Sequence, residues 1–288
     1  MATKSLTIAL LGVPNAGKST LINAIVGQSL AAVHHKPQMT RRNLLGIHTK
    51  NNTQLIFIDT PGLHKPEGVL NEIMMQNLNE ALAEADLVCV LLEADRKPPA
   101  IITDAISRLH DDKKLVLLLN KADVNSKDWV LDPKKLITQF QLPLFVVSAL
   151  KNKGIDGLID YLQKEAVEQP FFYNEDDLTT ATCRDLVKEY IRQEVMEHLH
   201  QEIPYHVGVV IDSFEEKEKK SAIKAAIIVN RDSQKGMVIG KGGKTIDKIR
   251  KAAILRIKEL MGTPITLSLY VKVDQNWIKS GEKIKEYF

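Results

Sequence analysis

The sequence predicts two units: an α/β domain with a mostly parallel sheet over residues 1–168, and a smaller α+β domain over residues 182–288. Three observations predict it. Apolar runs alternate with helical patterns along residues 1–165, which implies a largely parallel sheet covered on both faces. The first run leads into Gly12-Val13-Pro14-Asn15-Ala16-Gly17-Lys18-Ser19, a G-x-x-x-x-G-K-S pattern set between a strand and a helix. The charge balance also changes along the chain. Residues 1–181 carry 19 Lys and Arg against 21 Asp and Glu, whereas residues 182–288 carry 20 against 15.

In the first domain the strand candidates are 6–11, 44–49, 54–59, 86–92, 114–119 and 143–147, all apolar runs of buried-strand length. The helix candidates are 18–26, 70–83, 100–110, 133–140 and 154–165, and Gly27 stops the first. In such a fold ligands sit beyond the C-terminal ends of the strands, and the glycine-rich loop is one such end.

The chemistry of that loop follows from its residues. Gly12 and Gly17 remove Cβ atoms that would hold the backbone away from a phosphate. The N–H groups from Ala16 to Thr20, at the loop and helix start, then face the anion, and the helix dipole favours negative charge there. Lys18 reaches the β- and γ-phosphates, and the Ser19 hydroxyl ligates Mg²⁺.

Three further clusters follow apolar strands. Asp59-Thr60-Pro61-Gly62 ends one strand, putting a carboxylate at the sheet edge for Mg²⁺ and a glycine where the backbone approaches a γ-phosphate. Asn120-Lys121-Ala122-Asp123 ends another. Asp123 is suited to the N1 and 2-amino donors of guanine, a pair that adenine lacks, so a carboxylate there discriminates through an unmet bond. Asn120 supports the loop and meets the base edge, while the Lys121 stem covers the base face. Ser148-Ala149-Leu150 is the last, with the Ala149 N–H directed at guanine O6. Residues 28–43 show no period and read as a mobile loop near the phosphates.

Residues 169–181 read as a linker whose aromatics, Phe171, Phe172 and Tyr173, pack against a domain. An amphipathic helix from Cys183 to His200 follows, with His198 and His200 as surface residues. Strands over 206–212 and 222–230 flank a charged hairpin loop at 215–220. Gly240-Lys241-Gly242-Gly243 then opens a helix over 245–261, and a last strand spans 266–273. This G-x-x-G before a helix, in α-β-β-α-β order, is the clamp of a KH fold on single-stranded RNA. Eight basic residues against one acid between 235 and 258, with Lys241, Lys244, Lys248 and Lys251 as the candidate RNA contacts beside the glycines, suit phosphate neutralisation.

Composition excludes other classes. Two distant cysteines, Cys89 and Cys183, make no disulfide framework or metal spacing, and a reducing cytoplasm is expected. No apolar run reaches a membrane-spanning length, and the short N-terminal run argues against a signal peptide.

The four nucleotide clusters in this order resemble the GTPase superfamily of P-loop proteins, and the guanine contacts of Asn120, Asp123 and Ala149 rest on that resemblance together with hydrogen-bond logic; an ATPase would not need Asn120-Lys121-x-Asp123. Adding Pro37-Gln38-Met39-Thr40-Arg41, the Leu63-His64 that follows Gly62, Glu202-Ile203-Pro204-Tyr205-His206-Val207 and the Val238–Lys244 stretch, the whole chain resembles the Era family of bacterial GTPases. The fold so implied is a P-loop GTPase domain followed by a type II KH domain. The resemblance implies a monomer with slow GTP hydrolysis, GTP or GDP and Mg²⁺ at the site, and binding near the 3′ end of small-subunit ribosomal RNA. It also implies help in small-subunit maturation, and a cytoplasmic location with some peripheral association with the inner membrane. Thr40 matches the Mg²⁺ ligand of the GTP state, with Met39 where the family has a further Thr. Leu63 stands where many GTPases position water with Gln, and Asn15 matches a K⁺-holding position of relatives. The catalytic set implied is thus Asn15, Lys18, Thr40 and Gly62. An RNA-binding module without useful turnover is the alternative.

Overall fold

The structure, a computed structural model, describes residues 2–33, 39–65, 67–124, 126–199, 203–217 and 220–288. Pro37, Gln38, His200, Glu202 and residues 218–219 of the charged hairpin, all named above, lie outside the described residues, as do residues 34–36 of the loop over 28–43. The chain divides into two compact units, Met1–Lys65 with Met74–Thr180, and Pro66–Ile73 with Ala181–Phe288.

The first unit runs β1 (Lys4–Leu11), α1 (Lys18–Val26), β2 (Leu44–Lys50), β3 (Thr53–Asp59), α2 (Val69–Glu84, from Met74 on), β4 (Leu87–Glu93), α3 (Ala100–Leu109), β5 (Lys114–Asn120), α4 (Pro133–Phe140), β6 (Leu144–Val146), α5 (Ile155–Glu165) and β7 (Val167–Glu168). The sheet order is β2-β3-β1-β4-β5-β6, with β7 on β1. β1, β3, β4, β5 and β6 are mutually parallel, and β2 and β7 are antiparallel to their neighbours. Strand alternation divides the core. Leu6, Ile8 and Leu10 face the cluster with Leu21, Ile22 and Leu158, while Ala9 and Leu11 face Leu78, Ile102 and Ile106. Both faces are thereby covered, and the C-terminal ends of β1, β3, β4 and β5 share one edge. Pro133 at the first turn and the Asp132 side chain accepting from the Lys134 N–H start α4 at the expected residue.

The linker expectation is corrected. Residues 167–178 are fastened along the first unit: β7 pairs with β1, the Gln169 N–H donates to the Thr3 carbonyl at 3.1 Å, and the Ile47 N–H donates to the Leu178 carbonyl at 2.8 Å. Buried Gln54 is the organiser, its Oε1 accepting from the N–H groups of Phe172 and Tyr173 at 3.0 and 3.1 Å. The attachment is through backbone, so the Phe172 ring stays 60% exposed and does not pack as expected.

The second unit contains α6 (Cys183–His198), β8 (Gly208–Glu215), β9 (Ser221–Val229), α7 (Asp232–Ile239), α8 (Lys244–Met261), β10 (Ile265–Val273) and α9 (Gly281–Tyr287). β9 pairs parallel to β10 and antiparallel to β8. A complete capping box starts α6, with Thr182 and Asp185 bonding each other's backbone N–H groups. One core joins Val187, Tyr190, Ile191 and Val195 of α6 to Ile249, Ala253 and Ile257 of α8 and to the sheet. The order is therefore α-β-β-α-α-β-α, not α-β-β-α-β. The unexpected helices are α7 and α9; α7 is a short turn of chain that buries only Gln234 and Val238 and so carries almost no periodic signal.

Candidate functional site

Four loops meet beyond the shared strand edge around a cleft of about 480 Å³, lined among others by Asn15, Gly17, Lys18, Ser19, Thr20, Thr40, Gly62, Asp123, Ala149 and Leu150. The glycine-rich loop leads from β1 into α1. Its tip residue Asn15 is exposed at φ 66°, and Lys18 is buried. The Lys18 ammonium donates to the carbonyls of Gly12 at 3.0 Å and Val13 at 3.2 Å. Burial lowers its pKa to about 8, with the charges of Asp59 and Glu93 acting the other way.

Three oxygens converge next to that amine. The Ser19 hydroxyl donates to Asp59 Oδ2 at 2.6 Å, the Thr40 hydroxyl donates to the same oxygen at 3.2 Å, and the two hydroxyls lie 3.1 Å apart. Asp59 is 1% exposed. A buried carboxylate beside two hydroxyls, open to a phosphate cleft, is an all-oxygen donor set suited to a hard divalent cation such as Mg²⁺. The sequence-expected trio is thus brought together.

The Asp-Thr-Pro-Gly segment is pressed onto the phosphate loop. Thr60 Oγ1 donates to the Leu10 carbonyl at 2.5 Å, and the Leu63 N–H donates to the Gly12 carbonyl at 2.9 Å. A Cβ on Gly62 would sit 2.5 Å from the Pro14 nitrogen, so only glycine lets the two loops approach this closely. The Leu63 side chain packs against the core under α2 and α3, in keeping with a residue that cannot hold water.

At the other end Asn120 is the keystone. It is 2% exposed; its Nδ2 donates to the Ala16 carbonyl at 2.8 Å and its Oδ1 accepts from the Ala149 N–H at 3.0 Å. One amide thereby ties three loops. Asn120 thus ties the loops together as expected, and the Ala149 N–H, expected at guanine O6, donates to Asn120 here. Buried backbone groups take the nearest partner, and here that partner is the neighbouring loop. Asp123 stands exposed at the rim, its Oδ1 accepting from the Ser148 hydroxyl at 2.5 Å. The Lys121 ammonium pairs with buried Glu93.

Glu93 and Arg96 are the residues that the sequence reading missed. Arg96 lines the cleft with its side chain 68% exposed, 3.8 Å from Glu93. Glu93 pairs in register with Asn120, so an apolar strand ending on a polar residue announced it as it announced Asp59.

In the second unit, Gly240 to Gly243 lie between α7 and α8. Gly240 has φ 74° and ψ 168°, a conformation confined to glycine, and a Cβ there would meet the Thr245 hydroxyl at 2.2 Å. Gly242 (φ 60°) and Gly243 (φ 76°) would each carry a Cβ in open space. Lys241, Lys244 and Lys248 are exposed and form no ion pair among the described residues. The basic stripe is weaker than its sequence count. Arg250 and Lys251 both bind Asp247, at 2.6 and 2.8 Å, and Arg256 binds Glu194 at 2.6 Å. Bonds from Lys251 and Arg250 hold the Asp247 carboxyl below its ordinary range.

A family model described as 50S ribosome-binding GTPase matches residues 7–121, and one described as KH domain matches residues 202–278. GTPase Era of Ruminiclostridium cellulolyticum is 40% identical over 290 residues, covering 99% of this chain and 97% of that protein. The chain belongs to the Era family of GTPases. GTPase Era of Bradyrhizobium diazoefficiens is 38% identical over 293 residues, covering 99% of this chain and 94% of its own length. Among solved structures, Era in complex with MgGDPNP and nucleotides 1506–1542 of 16S ribosomal RNA superposes with a TM-score of 0.93 at 28% identity, covering 99% of this chain and 98% of that one. A variant of Aquifex aeolicus Era bound to GDP and AlF₄⁻ has the same score and identity, covering 99% of each. Era membership accounts for both units in one chain, a P-loop GTPase domain and a KH domain.

Proposed function

We propose that this Era-family chain is a GTP-hydrolysing switch that binds small-subunit ribosomal RNA near its 3′ end and assists maturation of the small subunit. The observation that carries the nucleotide half is the cleft: a buried Lys18, the convergent oxygens of Ser19, Thr40 and Asp59, and Asp123 oriented by Ser148. Lys18 holds the β- and γ-phosphate oxygens, Gly62 brings its backbone to the γ-phosphate, and Asp123 selects guanine. Mg²⁺, held by Ser19, Thr40 and Asp59, supplies charge neutralisation at the phosphates. Leu63 leaves water unpositioned by a side chain, which supports slow intrinsic turnover.

Asn15, exposed at the cleft, is assigned to a K⁺ ion near the phosphates. Turnover measured in KCl and in NaCl tests it; equal wild-type rates sink the assignment. The RNA half rests on the exposed Lys241, Lys244 and Lys248 around the glycine clamp, with Lys251 held by Asp247 as a secondary contact. The chain acts as a monomer in the cytoplasm with peripheral association with the inner membrane. One experiment addresses the whole reading: crosslinking to isolated 30S and 50S subunits with GTP, GDP and no nucleotide. Nucleotide-dependent crosslinks to the 3′ end of 16S RNA are expected, and crosslinks to 50S particles alone overturn it.

A further inference from the structure

The residue that closes the Mg²⁺ site from the far side, Thr40, stands in an awkward place in the chain. Leu44, the first residue of β2, pairs with Asp59 itself. Four extended residues back from Leu44 would carry the chain about 13 Å away. Yet the Thr40 hydroxyl lies 3.2 Å from Asp59 Oδ2. The chain must fold back between them, and it bends at Arg42.

Both sides of that bend are tied to one residue of α2. Asn77 Nδ2 donates to the Arg41 carbonyl at 3.0 Å, and Asn43 Nδ2 donates to the Asn77 carbonyl at 2.8 Å. Asn77 thus clamps the residues before and after Arg42, and all of these lie in the first unit. Arg41 is 3% exposed, so its carbonyl sits where a lost bond is not replaced cheaply by water.

We infer that Asn77 is a positioning residue for Thr40: its side chain and backbone hold the Arg42 bend and so set the third oxygen of the Mg²⁺ site, coupling that ligand to α2. The inference rests on the reading of the cleft as a Mg²⁺–GTP site. On the resemblance that makes Thr40 the Mg²⁺ ligand of the GTP state, the clamp stabilises the GTP complex selectively. Asn43 contributes less than Asn77, because its Oδ1 is buried without a partner among the described residues and offsets part of its bond.

The test uses the full chain and binding, not turnover. Affinity for the non-hydrolysable analogue GDPNP and for GDP is titrated against Mg²⁺ for wild type, Asn77→Ala, Asn77→Asp and Asn43→Ala. Asn77→Ala is expected to weaken GDPNP binding and raise the Mg²⁺ needed for it by about threefold to tenfold, the worth of one neutral hydrogen bond. Its GDP affinity stays within twofold of wild type. Asn77→Asp, which turns an acceptor toward the Arg41 carbonyl, does at least as much; Asn43→Ala moves the same way by less. In a Thr40→Ala background Asn77→Ala adds nothing, because the ligand it positions is gone. If Asn77→Ala unfolds, Asn43→Ala carries the test alone. Wild-type GDPNP binding indifferent to Mg²⁺ overturns the site reading and the clamp together. Mg²⁺-dependent wild-type binding with unchanged variants, or with GDP and GDPNP weakened equally, overturns only the clamp.

Discussion

The nucleotide cleft and the glycine clamp of the second unit are both glycine-rich loops that lead into helices, and they are built in opposite ways. In the cleft the polar groups are already bonded to one another across loops: Asn120 to Ala16 and Ala149, Ser19 and Thr40 to Asp59, Ser148 to Asp123. In the clamp the lysines are exposed and Gly242 and Gly243 border open space. Groups bonded to one another across loops present a fixed geometry to a ligand. Exposed charge attracts phosphate with little regard to sequence, and salt screens it. On the proposed function the two sites divide the labour: a nucleotide with a defined base in the cleft, a nucleic-acid backbone at the clamp.

The largest test of this contrast is Lys18. Lys18→Met is expected to lower GTP turnover by about a hundredfold to a thousandfold, the range for removing one preorganised group that meets developing charge. Lys18 also makes the cleft pH-sensitive. Burial puts its amine at about 8 in the fold against an ordinary 10.5. Between those values the unfolded chain holds a proton that the folded, nucleotide-free protein does not, so this group's contribution to stability rises with pH there, and its penalty is fully present below pH 8. Denaturant unfolding of nucleotide-free wild type and Lys18→Met at pH 7.5 and 10 should show the wild type gaining about 2–3 kcal/mol relative to the variant. A constant difference between the two proteins would mean that the amine is not held in a dry site.

Next in size is Asn120→Ala. Two loop ties vanish and buried backbone groups lose partners, so stability should fall by about 2–3 kcal/mol and nucleotide affinity by at least tenfold. Calorimetry of the free and GDP-bound chain checks both, and loss of affinity at unchanged stability would assign Asn120 to the base rather than to the loops.

The clamp should respond unevenly. Gly240→Ala meets both a glycine-only conformation and the Thr245 side chain, and is expected to cost about 2–3 kcal/mol. Gly242→Ala meets open space and should cost about 1 kcal/mol. Equal costs in thermal unfolding would show the loop to be as rigid as the cleft. Smallest is Lys244→Ala: RNA affinity should fall by a similar factor for every single-stranded sequence, and the salt slope should drop by about 0.7, because one phosphate is no longer neutralised. A sequence-selective loss would make Lys244 a base reader.

Much of this was legible in the chain because the nucleotide site is assembled from strand ends. Each of its clusters follows an apolar run, and a parallel sheet brings such ends to one edge whatever the loops do. Asp59, Asn120 and Ser148 were found that way, and Glu93 carried the same mark. Gly62 was legible as a close-approach glycine, and the neighbour that the fold gives it is Pro14. What stayed hidden was partnership. That Asn120 and the Ala149 N–H satisfy each other, that Lys121 is held by Glu93, and that Lys251 and Arg250 share Asp247 are outcomes of distance and burial, and composition does not count them. α7 was hidden because two buried residues make no periodic pattern. The attachment of residues 167–178 was hidden because backbone bonds to Gln54 and β1 leave no mark on side-chain identity.

By itself, then, the sequence determined the two units, the order of the nucleotide loops and the glycine-rich loop of the second unit, all of which depend on local pattern and on residue types that only one conformation or chemistry accepts. Only the tertiary structure decided which polar groups spend their bonds on each other and which remain for a ligand. It also decided that the Arg41 carbonyl, next in the chain to Thr40, accepts from Asn77 on a helix more than thirty residues away. Those choices are made by packing, because a buried donor takes whichever acceptor the fold brings within about 3 Å, and sequence spacing does not record that distance.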